Sequence, residues 1–152
     1  MTGGRVDQAS VPGILADHRR RIRALEATPP IAQFDIKIFA DNAVITIGDG
    51  AFIFAVPADL DGTSLLDVAA YVTTVSSSGL PTIQVRNETT TNDMLTTPIT
   101  IDVGETTSYT SAAPAVIDAT HQKVSVGDLI AIDVDVAGTG AKGLGVILDF
   151  YA

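Results

Sequence analysis

A chain of 152 residues has room for one domain with a real core and an appendage, and not for a second full domain. It contains no cysteine, which excludes disulfides, thiolate metal ligands and cysteine nucleophiles; its hydrophobic residues are mostly aliphatic, with no Trp beside three Tyr and five Phe. The net charge of −9 is split: residues 1–30 carry five Arg against three acids, while residues 31–152 carry four Lys or Arg against fifteen acids, a balance that repels nucleic acid and anionic membrane surfaces.

Residues 1–10, Met1 to Ser10, are small and polar and read as an arm that orders only against a neighbour, such as another subunit of a larger particle. Residues 11–28 follow with Val11, Leu15, His18, Ile22 and Leu25 at spacings of four, three, four and three, the alternation that keeps one helical seam facing a partner. Two heptads are too short to be stable alone in water, so the helix needs either tertiary packing, as an amphipathic helix docked on its own β-domain, or a partner domain that pre-associates it. Pro29-Pro30 ends it, because proline supplies no amide donor and restricts the residue before it, and residues 29–33 form a linker. Arg21-Ile22-Arg23-Ala24-Leu25-Glu26 resembles the short trimerisation motif of coiled coils, which implies that Arg21 covers a neighbouring helix and pairs with its Glu26. Ile at one core position and Leu at the next lean toward two strands instead; the motif matches at four positions and takes precedence. His18 is expected to set register in the seam rather than bind metal, and the remaining arginines to form a solvated face.

From residue 34 the pattern changes to period two. Phe34-Asp35-Ile36-Lys37-Ile38 alternates apolar with charged residues, the mark of a strand with one wet face. Further strands are expected at Ala43–Ile47, Ala51–Val56, Ser64–Thr74, Thr82–Arg86, Thr97–Ile101, Leu129–Val136 and Gly143–Phe150. Turn clusters separate them at Gly48-Asp49-Gly50, Asp59-Leu60-Asp61-Gly62, Ser76 to Gly79, Val103-Gly104-Glu105 and Gly138-Thr139-Gly140. About eight short strands with no helical pattern between them predict an all-β domain over residues 34–152, an antiparallel jelly-roll-like β-sandwich behind a short N-terminal helix.

The segments Thr82–Asn87, Leu95–Asp102, Ala112–Asp118 and the closing run Val126–Phe150 resemble, in strand and turn order, the C-terminal β-sandwich modules of tailed-bacteriophage fibre, minor tail and head-decoration proteins. The likeness covers roughly residues 43–150 and lies in layout rather than in a chemical signature. It implies a structural or adhesive role on a virion, with a fold shared by carbohydrate-binding jelly rolls.

The candidate sites are few. Asp59-Leu60-Asp61-Gly62 opens like a calcium loop but lacks the downstream glutamate of an EF-hand, and it reads as a turn. Asp133 and Asp135 alternate with Ile132, Val134 and Val136 and are expected on a solvent face, with a calcium ion shared with Asp128 as the lesser alternative. His121 has no nucleophile elbow, zinc-binding pair or phosphate loop to work with, so catalysis, a metal site and a cofactor are not expected. Among Tyr71, Tyr109 and Tyr151, Tyr109 lies in the polar stretch Thr106 to Ser111 and is the candidate for surface contact. Asn87-Glu88-Thr89 has the form of a glycosylation sequon, which carries no weight without a secretory signal. No apolar run of signal-peptide or membrane-spanning length is present, so the expected life is synthesis in a host cytoplasm and residence on a virion.

The expectation is therefore a homotrimer without membrane insertion, held by Val11, Leu15, His18, Arg21, Ile22, Leu25 and Glu26, bound to other virion proteins through its arm. Its outward domain would contact a host cell-surface glycan as a fibre or minor tail protein. Capsid decoration and a free carbohydrate-binding module are the alternatives.

Overall fold

The computed structural model describes residues 30–152. The arm, the helix of residues 11–28 and the seam residues Val11, Leu15, His18, Arg21, Ile22, Leu25 and Glu26 lie outside the described residues. Ten strands follow in chain order: β1 Ala32–Lys37, β2 Gly48–Ala55, β3 Ser64–Tyr71, β4 Thr82–Asn87, β5 Asn92–Asp93, β6 Leu95–Thr97, β7 Ile99–Thr100, β8 Val116–Ile117, β9 Leu129–Val136 and β10 Gly145–Tyr151. Two single 3-10 turns, Ala58–Leu60 and Ser108–Thr110, are the described helical elements. The all-β, antiparallel expectation holds.

One sheet runs β1-β10-β3; the other runs β2-β9-β4-β5, with β7 also on β4; β6 and β8 form a separate pair. The chain crosses directly between the two larger sheets from β1 to β2, from β2 to β3, from β3 to β4 and from β9 to β10. Every strand pairing is antiparallel. Alternation explains the layering: Val146, Leu148 and Phe150 of β10 face Ile130, Ile132 and Val134 of β9 and Ile83 and Val85 of β4 within one apolar cluster, all of them at most 1% exposed. The edge strands β1 and β2 close the core less completely. Phe34 and Phe54 lie 5.3 Å apart between ring centroids and Phe34 meets Phe150 edge-on at 5.9 Å, yet Phe34, Phe52 and Phe54 stay only half-buried.

Several boundaries depart from the sequence reading. The strand expected at Ala43–Ile47 is absent: a turn closes from Ala43 N–H to the Ala40 carbonyl, and the segment is then tied to the fold by the Gly143 amide on the Ala43 carbonyl, the Val44–Lys142 bridge and the Ile45 amide on the Ala141 carbonyl, too few contacts to make a ladder. Its partner stretch contains Gly138, Gly140 and Gly143 at positive φ, a path that cannot extend a ladder. Gly48-Asp49-Gly50 is not a turn between strands but a bulge inside β2, where the register passes from Gly48 opposite Val134 to Phe52 opposite Ile132 and Gly50 takes φ +64°. Pro98 splits Thr97–Ile101 between β6 and β7, consistent with its missing donor. Ser64–Thr74 ends at Tyr71, β1 begins at Ala32, ahead of Phe34, and the short β5 and β8 lacked a periodic signal.

Candidate functional site

Two surface hollows are prominent on the described domain, one on each sheet. The first lies beside β3, where the turn Ser108–Thr110 is pinned against the strand. The Ala70 amide donates to Ser108 Oγ at 2.9 Å, the Val72 amide donates to the Thr106 carbonyl at 2.8 Å, and Tyr71 bridges Thr107. These contacts occupy the side of β3 away from β10 and hold Tyr109 outward, 73% exposed. The hollow of about 270 Å³ beneath it is lined by Leu66, Asp67, Ser108, Tyr109, Pro114 and Ile117 among others. Apolar surface from Leu66, Pro114 and Ile117 lies beside the hydroxyls of Ser108 and Tyr109 and the Asp67 carboxyl. That combination suits a small hydroxylated ring with one apolar face.

The second hollow, about 550 Å³, lies on the outer face of the other sheet and is lined by Asp49, Gln84, Arg86, Glu88, Asp93, Asp133 and Asp135. The lone guanidinium is divided between two carboxylates, with Arg86 Nε 3.3 Å from Glu88 Oε1 and an Arg86 terminal nitrogen 3.4 Å from Asp93 Oδ1. Asp133 faces outward as expected but is 5% exposed rather than solvated, because β9 is a central strand with neighbours on both sides. Burial, followed by the nearby Asp49, Glu88 and Asp135, pushes the Asp133 carboxyl up, against a 2.6 Å hydrogen bond from the Gly50 amide. Burial and the charges of Asp49 and Asp93 raise Asp135 as well. The hollow concentrates negative charge and turns anionic ligands away.

The other candidates serve the fold. Asp128 does not join Asp133: it is buried, accepts from Asn87 Nδ2 at 2.9 Å and from the Ser125 amide at 3.0 Å, and ties β4 to the start of β9. That bond also occupies Asn87, the residue of the sequon, which is 2% exposed. Asp61 accepts from the Val126 amide at 2.9 Å, so the calcium-like loop is a structural turn. His121 Nδ1 lies 2.8 Å from Asp118 Oδ2 within one turn, and this hydrogen bond, with one from the Thr120 amide, holds the Asp118 carboxyl below the usual carboxylate range. Among the described residues no group of three His, Cys, Asp or Glu side chains is placed to hold a metal ion. No helix of the described residues is long and apolar enough to cross a membrane.

Tyr71 emerges with a role that sequence reading missed. It lies across Gly145 from Lys37; its hydroxyl donates to Asp35 Oδ1 at 2.8 Å, and Lys37 Nζ stands 4.9 Å from the ring centroid. Any Cβ at position 145 would collide with the ring, so the glycine makes the space that the ring fills. A glycine in an otherwise apolar strand was the available signal.

No protein family, no curated protein and no solved structure matches the chain.

Proposed function

We propose that the chain is a non-enzymatic structural subunit of a tailed-bacteriophage virion. It is a homotrimeric fibre or minor tail protein whose basic N-terminal segment assembles three copies and whose β-domain faces outward to meet a host-surface glycan. The observation that carries this reading is the order of parts. A segment with coiled-coil spacing and a trimerisation-like motif at Arg21–Glu26 leads directly into an acidic domain of two antiparallel sheets.

A jelly-roll assignment of that domain is supported by the strand orders β1-β10-β3 and β2-β9-β4-β5, in which the last two strands, β9 and β10, insert between the earlier ones in opposite sheets. Weak sugar contacts at the Tyr109 hollow become useful when three copies act together, because the second and third contacts form at high effective concentration. Replacing Tyr109 by Ala removes an exposed ring without touching the core, so glycan binding is lost while folding is kept.

Antibody against the β-domain, applied to intact particles and viewed by electron microscopy, tests the reading. Label at the tail supports it, label over the shell replaces it with capsid decoration, and a protein that binds glycan as a free monomer and never labels particles overturns it.

A further inference from the structure

Asp149 lies on the outer face of the β1-β10-β3 sheet, since its neighbours Leu148 and Phe150 point into the core. It is nevertheless only 8% exposed, and its buried Oδ1 has no hydrogen-bond partner among the described residues. Such an atom is costly to leave unpaired, and a partner outside the described residues is the natural remedy. Its cross-strand neighbours do not provide one. Gln33 and Asp67 stand opposite it on β1 and β3, and Asp67 accepts from the Val68 amide. Lys37 on the same face lies opposite Gly145, four residues along β10, roughly 13 Å away. It is committed to Asp41 at 2.8 Å and to the Gly143 carbonyl.

We propose that Asp149 receives a guanidinium from the basic segment of its own chain, supplied by Arg19, Arg20 or Arg23. The chain enters the domain at this spot, because the Ile31 amide donates to the Phe150 carbonyl at 2.7 Å. With residues 11–28 helical as the sequence suggests, Arg23 lies within about 18 Å of Ile31 along the chain and Arg19 within about 24 Å. Charge favours the match, with five Arg in residues 1–30 meeting a domain with fifteen acids. The seam Val11, Leu15, His18, Ile22, Leu25 and the Arg21–Glu26 pairing leave these three arginines unassigned, so the contact is compatible with a trimer and does not depend on one. A guanidinium fits better than a calcium ion: its planar fork meets a carboxyl group two bonds at a time, whereas calcium needs six or more oxygens and this face offers few beyond Asp149, Asp67 and Gln33. The contact would fix the direction in which the N-terminal segment leaves the β-domain.

The test is a double-mutant cycle in the full chain, with Asp149→Asn, the triple variant Arg19→Gln/Arg20→Gln/Arg23→Gln, and their combination, read by the thermal unfolding midpoint. Asp149→Asn is expected to lower the midpoint by roughly 4 °C in the parent and to leave it unchanged or raised in the triple variant. An identical shift in both backgrounds overturns the proposal, as does a midpoint that follows added calcium chloride. Should Asp149→Asn fail to fold, hydrogen exchange at the Gln33 and Asp149 amides decides: faster exchange in the triple variant supports the contact, and unchanged exchange refutes it.

Discussion

Raising the pH should loosen this domain through one phenol. Tyr71 ionises in the folded chain only at about 12, against an ordinary value of 10.0, because burial and then the hydrogen bond to the Asp35 carboxylate disfavour the phenolate, with the Asp35 and Asp41 charges adding to both. The unfolded chain therefore releases this proton first. The stability it contributes is complete below about pH 10 and is lost as pH rises through about 12. A shift of two units corresponds to ~2.7 kcal/mol. The ring is only half-buried and solvent screens the Asp35 contact, which reduces the expected loss to about 1 kcal/mol. The assay is the urea midpoint of the parent and of Tyr71→Phe across that window, with phenolate absorbance followed in parallel. The parent should lose about 1 kcal/mol more than the variant, and the Tyr71 phenol should titrate late. Parallel losses in the two proteins, or no late phenolate absorbance lost on Tyr71→Phe, would refute the reasoning.

Gly145→Ala should push the Tyr71 ring off its seat and cost about 2 kcal/mol by urea unfolding, with the late titration moving back toward its ordinary value. Ile132→Ala, at a fully buried position on the central strand β9, should cost about 3 kcal/mol in the same assay. Asp135→Asn should stabilise by about 0.5 kcal/mol in dilute buffer, since it removes one of the charges crowding Asp133, and the gain should shrink as salt is added. Asp133 and Asp135 are both raised in the fold, so their combined effect stabilises the domain as pH falls toward the carboxylate range, which a urea series in mildly acidic buffers reads directly.

The strands with strict alternation, such as β1 with Phe34, Ile36 and the charged Asp35 and Lys37 between them, were legible in the sequence because one face meets the core and the other meets water. Period two was no guide at Ala43–Ile47, where Ala43, Val44 and Ile45 are consecutively apolar and the run meets a glycine-rich path without ladder geometry. It also misplaced Asp133, since period two reports which face a side chain takes and not what neighbouring strands and loops cover it with. Tyr109 was legible as an exposed aromatic in a polar run. Its hollow was not, because Leu66 and Asp67 arrive from a strand some forty residues earlier. Tyr71 and Asp149 depend on register across three strands, Gln33 or Lys37 on β1 against Asp149 or Gly145 on β10, and no local pattern encodes that pairing.

The most direct measurement of the central claim is the solution mass of the full chain by light scattering behind a sizing column at micromolar concentration. The account predicts three times the chain mass of 15.7 kDa. A mass of one chain would contradict it and remove the avidity on which the proposed attachment depends.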